Sequence, residues 1–148
     1  MADGAAAVIL MAEDDEEDRL MAQEALAEAN PINQLRFVVD GEDLMDYLHQ
    51  RGEHGAGADA PRPAIILLDL NMPRKDGREA LAEIKSDPEL RHIPVVVFTT
   101  SKDDHDVLTT YALGANSYIT KPSRFTTLVE VMSGFSNYWF QLAELPVR

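Results

Sequence analysis

The sequence contains no cysteine, so disulfides, thiolate chemistry and cysteine-held zinc are excluded. It has no apolar run near the ~20 residues that a membrane-spanning helix needs. Met1 to Leu10 carry no basic segment, and their apolar part runs straight into an acidic cluster, which is not the pattern of a signal peptide. Positive charge is scarce: 13 Lys+Arg stand against 26 Asp+Glu, for a formal net charge of -13. No Lys/Arg cluster breaks that field, and binding to nucleic acid or anionic membrane depends on cationic groups that displace counterions. These absences predict a cytoplasmic protein with neither nucleic acid nor membrane as partner.

What remains is a chain for one folded domain over residues 1–148, with an extended C-terminal helix or tail from about 123 to 148. Short apolar runs alternate with segments of helical period. Val8 to Ala12, Leu35 to Val39, Ala64 to Leu68, Val95 to Phe98 and Ser117 to Thr120 read as strands. Between them fall helices over Glu16 to Ala29, with Leu20, Met21, Ala25 and Leu26 on its apolar stripe, and around Leu44, Met45 and Leu48. Further helices fall around Ala80, Leu81 and Ile84, and over Asp103 to Leu113 with Gly114 past its end. A last helix runs from Ser123 towards Leu142, its stripe being Leu128, Met132, Phe135 and Trp139. Arg51 to Pro63, rich in Gly, Ala and Pro, reads as the most flexible loop. Alternating strands and helices call for an α/β fold, a doubly wound parallel sheet of five strands covered on both faces.

In such a sheet ligands bind beyond the carboxyl ends of the strands. The residues at those ends are Glu13, Asp14 and Asp15 after the first strand and Asp69 after the third. Thr99 ends the fourth, and Lys121 follows the fifth. Several carboxylates in one crevice repel each other and raise each other's pKa unless a cation compensates. Mg²⁺ suits a site with few carboxylates and retained waters. With the metal and Lys121 absorbing developing charge, an oxygen of Asp69 is placed to attack phosphorus and form an acyl phosphate.

The segments Ile9-Leu10-Met11-Ala12-Glu13-Asp14-Asp15, Leu67-Leu68-Asp69-Leu70-Asn71-Met72-Pro73 with Asp76-Gly77, Val97-Phe98-Thr99-Thr100 and Tyr118-Ile119-Thr120-Lys121-Pro122 together resemble the response-regulator receiver family. Their order and spacing match over nearly the whole chain. The resemblance implies a flavodoxin-like fold with strand order 2-1-3-4-5 and two-component signalling, in which a sensor histidine kinase phosphorylates Asp69. It implies that Asp14 and the backbone carbonyl of Asn71 are metal ligands beside Asp69, with Glu13 acting through water. Thr99 and Lys121 would bind the phosphoryl group, and Tyr118 would move inward with Thr99 as the switch. Lys121-Pro122 becomes a candidate cis peptide. The Arg51 to Pro63 insertion, the Pro73 to Gly77 segment, Thr100-Ser101-Lys102 and the aromatic Tyr138-Trp139-Phe140 tail are similar to single-domain regulators of the phytochrome-associated type, which implies a phytochrome kinase and a homodimer. Glu13 departs from the Asp common at its position.

Each of these residues also has a plainer reading. Glu13-Asp14-Asp15 suits a solvated helix start, Asp69 a helix cap, and Thr99, Lys121 and Tyr118 ordinary strand-end packing. His49, His54, His92 and His105 lack ligand spacing and read as surface residues. A flavodoxin-like cofactor binder would need a Ser/Thr/Gly-rich cradle where Glu13 to Glu17 stand. An aspartyl-phosphate phosphatase usually carries a second Asp where Asn71 stands, and a degenerate docking module would have lost Asp69, Thr99 or Lys121. The expectation is a signalling switch, with phosphotransfer only to itself and slow self-dephosphorylation. Phe135, Tyr138, Trp139, Phe140 and Leu142 cover more than one helix face, which favours a homodimer.

Overall fold

The structure, a computed structural model, describes residues 7–146. Among them, the strands β1 (Val8–Ala12), β2 (Gln34–Val38), β3 (Ile65–Leu68), β4 (Val95–Thr99) and β5 (Ser117–Thr120) alternate with helices α1 (Glu16–Ala29), α2 (Gly41–His49), α3 (Gly77–Ser86), α4 (Asp104–Leu113) and α5 (Phe125–Asn137). All neighbouring strands pair in parallel, in the order β2-β1-β3-β4-β5. Successive residues of a strand face opposite sides of the sheet, and the central strands are apolar on both. Leu10, Ala12, Ile66, Leu68, Val95 and Val97 pack beneath α2 and α3. Ile9, Met11, Ile65, Leu67, Val96 and Phe98 pack beneath α1 and α5. That two-sided burial is why these strands read as unbroken apolar runs.

The polar residues flanking each strand start the helices. Asp40 accepts the Asp43 N–H at the head of α2, and Asp103 that of His105 at the head of α4. Asp76 and Glu79 form a reciprocal capping box on α3. Asp15 sits at the N-cap position of α1 without a side-chain bond, and Glu16, Glu17 and Asp18 fill its first turn, where the helix dipole favours negative charge.

Several expectations need correction. β2 begins and ends one residue early, because pairing of Ala12 with Val38 closes its register and leaves Val39 at 43% exposure. Leu20 is 55% exposed; the buried stripe of α1 is Ala22, Ala25 and Leu26. At 3.6 residues per turn Leu20 lies about 200° around the helix from Ala22. The bond before Pro122 is trans, as no cis peptide occurs among the described residues; proline lowers the cost of cis without requiring it. The 51–63 loop has a single 3₁₀ turn at Gly52–His54, and its far half is tied down. Tyr47 donates its hydroxyl to the Pro61 carbonyl at 2.7 Å, Gln50 Nε2 donates to Ala60, and Arg36 pairs with Asp59. His54 is no free surface residue: its ring tilts against Tyr47 and lies 2.8 Å from Asp43 Oδ1.

The last helix also differs. After Asn137 the chain widens into a π turn, Tyr138–Leu142, closed by the Ala143 N–H on the Tyr138 carbonyl. One five-residue turn from Phe135 falls on Phe140, so Phe140 takes the buried place expected of Trp139, and the two phenyl rings meet edge to face. Trp139 is left partly buried at the rim of that core.

Candidate functional site

Four strand ends converge. The Glu13 N–H bonds the Val38 carbonyl, the Asp69 N–H that of Ala12, and the Lys121 N–H that of Thr99. The sheet ladder thus continues into the candidate site residues. Glu13 is 1% exposed, Asp69 6% and Thr99 0%. Asp14 is exposed and opens the cluster to solvent. Carboxylate oxygens of Glu13, Asp14 and Asp69 lie within 4.8 Å of one another, a grouping fit for a cation.

Lys121 reaches into this cluster. Its ammonium donates to Glu13 Oε1 and lies 3.5 Å from Asp69 Oδ2 and 3.4 Å from Asp18 Oδ2. Asp18 was not singled out from the sequence, where it reads as helix-start charge. Three carboxylates therefore share one ammonium. Burial pushes the Glu13 carboxyl above its ordinary range, against the pull of Lys121 and of the Asp15 N–H on its other oxygen. Burial also pulls Lys121 down, but its bond to Glu13 and the charge of Asp69 outweigh that and hold it above the ordinary lysine value. Lys121 stays charged, and the cluster keeps an excess of negative charge that a divalent cation would compensate.

The remaining expected residues sit around this centre. The Asn71 N–H points at Asp69 Oδ1 from 3.4 Å, so the backbone of the loop after β3 meets the carboxylate. Thr99 Oγ1 accepts only a long bond, 3.5 Å, from the Ser101 N–H. Tyr118 is half-buried and donates its hydroxyl to the Ser101 carbonyl at 3.0 Å. Gly77 opens α3 directly over the acidic end of β3, and a Cβ there would stand 2.2 Å from the Asp69 carbonyl oxygen. Gly77→Ala should therefore cost about 1–3 kcal/mol by overpacking, read as a lower urea midpoint. An unchanged midpoint would mean the loop yields.

The response regulator receiver domain model matches residues 9–133. The chain belongs to the response-regulator receiver family. The receiver is 43% identical to the response regulator Rcp1 of Synechocystis sp. over 139 residues, covering 94% of this chain and 92% of that one. It superposes on the crystal structure of the phosphorylated cyanobacterial phytochrome response regulator RcpA with a TM-score of 0.88 at 45% identity, over 97% of this chain and 100% of that one. Against the Mn²⁺-bound form of Rcp1 the TM-score is 0.85 at 42% identity, covering 95% and 99%.

Within the receiver, a second charged network lies behind Thr99, with no signal in the sequence pattern. Asp106 of α4 is buried, accepts Arg78 Nε and Nη2 on Oδ1, and accepts the Ser101 hydroxyl at 2.7 Å on Oδ2. The Ser101 bond, then Arg78, hold its carboxyl below the ordinary 3.8. Between the lowered value and 3.8 the unfolded chain binds more protons, so stability rises with pH there. The contribution is complete above the unfolded value and is lost as pH falls through the folded one. Asp106→Asn should thus be less stable than the parent receiver at pH 7, with the gap closing as pH falls below 3.8 towards the lowered folded value. Urea midpoints across that range test it, and a gap independent of pH would contradict it.

Proposed function

We propose that the receiver accepts a phosphoryl group on Asp69 from the phosphohistidine of a sensor histidine kinase, in a reaction that requires Mg²⁺. The observation that carries this reading is the meeting of a buried Asp69 with Glu13, Asp14 and the Lys121 ammonium. In the transfer an Asp69 oxygen forms the O–P bond, the N–P bond to histidine breaks, and the imidazole keeps that electron pair. Asp14, Asp69 and the Asn71 backbone would hold Mg²⁺, with Glu13 behind them; the donors are hard oxygens and their charge exceeds that of Lys121, which fits this metal. Bound there, it supplies charge neutralisation for the incoming phosphoryl oxygens. The existence of a Mn²⁺-bound form of Rcp1 supports a divalent ion for this receiver.

Asn71 orients the nucleophile by pointing its N–H at one carboxylate oxygen. Lys121 exchanges part of its contact with Glu13 for the phosphoryl oxygens. Thr99, held only by a long bond, turns its hydroxyl to the same oxygens, and Tyr118 follows through Ser101. Phosphorylation so biases two existing conformations, and the altered surface is α4, β5 and α5. The likeness to phytochrome response regulators makes a phytochrome the favoured kinase. We read the chain as one receiver, 1–148, that signals through partner contacts in the cytoplasm, without nucleic acid and without turning over a substrate beyond its own slow dephosphorylation. No described helix is long and apolar enough to cross a membrane. A homodimer is favoured by Tyr138 and Leu142, which remain 52% and 69% exposed beside the buried Phe140.

Incubation with acetyl phosphate and Mg²⁺ should give a single phosphoryl group per chain, and EDTA should prevent it. An adduct that forms equally well in EDTA, or none at all, would contradict the reading.

A further inference from the structure

A second buried carboxylate lies one loop away from the acceptor. Asp40, 4% exposed, stands between β2 and α2. One of its oxygens caps α2 through the Asp43 N–H at 2.8 Å. The other accepts Arg74 Nε at 2.8 Å and Nη2 at 2.6 Å. Capping needs only the first oxygen, so the second is committed to Arg74.

Arg74 belongs to the loop between β3 and α3, and its backbone has φ 63, in the left-handed region. For a non-glycine residue that costs about 1 kcal/mol or more, so its surroundings must hold it there. The fork to Asp40 is one such restraint; the backbone beside it is another. The Gly41 N–H donates to the Lys75 carbonyl at 2.9 Å, and the two chains run so close that a Cβ on Gly41 would fall 2.1 Å from that oxygen. Met72, 7% exposed, is buried in the core, and the Gly77 N–H closes the loop on the Leu70 carbonyl at 3.0 Å. The loop is thus fastened to the head of α2 at its middle. Asn71, whose N–H faces Asp69, lies between that fastening and β3.

We infer that Asp40 and Arg74 are positioning residues for the phosphoryl-accepting site, holding the 70–76 loop so that the Asn71 backbone faces Asp69 and the cation. This rests on the role proposed for Asp69. Neither side chain touches the phosphoryl group. The fork selects arginine, because a lysine ammonium cannot make two bonds in one plane.

Arg74→Gly removes the fork while suiting the positive φ, and so folds without backbone strain. Asp40→Asn keeps an N-cap acceptor of equal quality and loses the charged partner. Three quantities are read on the full chain: amide hydrogen exchange of residues 70–76 without metal, Mn²⁺ affinity from free-ion titration, and the acetyl phosphate reaction rate at limiting and saturating Mg²⁺. Both variants should exchange the loop amides about tenfold faster. They should bind Mn²⁺ about tenfold more weakly, as loss of outer-sphere support does elsewhere. They should also react slowly at limiting Mg²⁺ and regain most of the parent rate at saturation. Arg74→Lys should resemble Arg74→Gly. Parent-like exchange and Mn²⁺ affinity in both variants would overturn the inference. Exchange that rises across the whole sheet would do the same, since the effect would then be global destabilisation. Exchange and Mn²⁺ binding need no phosphoryl transfer, so failure of the parent protein to form an adduct would count against the role of Asp69 separately.

Discussion

Lys121→Ala is expected to destabilise the metal-free receiver by about 3 kcal/mol, the usual cost of removing one partner from a buried ion pair. The Lys121 side chain is 10% exposed, against side chains of Glu13 at 1% and of Asp69 at 8%. Without the ammonium these carboxylates face each other with Asp14 and have no cation bonded to them, since Arg19 donates to the Glu13 backbone carbonyl and not to its carboxylate. The Asp15 N–H still bonds Glu13 Oε2 and the Asn71 N–H still faces Asp69, but neither carries a full charge. A divalent cation should make good most of the loss. It binds the folded variant more tightly than the parent, where the Lys121 ammonium competes for Glu13 and Asp69, and a hundredfold lower Kd would add about 2.7 kcal/mol to the variant over the parent in excess metal. Urea denaturation in EDTA and in Mg²⁺ therefore separates the charge effect from packing. Lys121→Met, which keeps most of the stem, should show the same metal-dependent recovery. A deficit of equal size with and without Mg²⁺ would assign Lys121 a packing role instead.

Asp69→Asn is expected to take up no phosphoryl group at all. The amide has nearly the shape of the carboxylate and still offers an oxygen to the Asn71 N–H, yet its oxygen lacks the charge that attacks phosphorus. Lys121 keeps Glu13 and Asp18 as partners, so the variant stays folded and the loss is one of chemistry. Asp14→Asn makes the contrast. It leaves the nucleophile and removes the exposed carboxylate of the cluster, so the reaction should slow at limiting Mg²⁺ and recover in excess. Phosphoryl uptake against Mg²⁺ concentration distinguishes the two. An Asp69→Asn protein that still incorporates phosphate would move the acceptor elsewhere.

The fold was legible because each central strand is buried on both faces and leaves a run of consecutive apolar residues. The polar residue after each run then has nowhere to go but the same edge of the sheet. That is how Glu13, Asp69, Thr99 and Lys121 could be gathered from four distant stretches. What stayed hidden are the pairings between side chains that lie on different helices and loops. Arg74 and Asp40 are 34 residues apart, Arg78 and Asp106 are 28 apart, and Lys121 meets Asp18 across 103. In a sequence with this many carboxylates each of these looks like a solvated charge, and only packing reveals which ones are buried. Leu20 misled for the opposite reason, being apolar on the outer side of α1. The π turn after Asn137 had no breaker residue to announce it, and its extra residue per turn exchanged Trp139 for Phe140 in the core.

An acyl phosphate is reduced by borohydride at its carbonyl carbon, which releases phosphate and leaves an alcohol, so an aspartyl phosphate becomes homoserine. The receiver should be loaded with acetyl phosphate and Mg²⁺, reduced, digested and mapped by mass spectrometry. Conversion confined to position 69 is the result required if the strand ends assemble a phosphoryl-accepting pocket around that carboxylate. Homoserine at Asp14 or Asp18, or phosphate retained on a histidine, would contradict it.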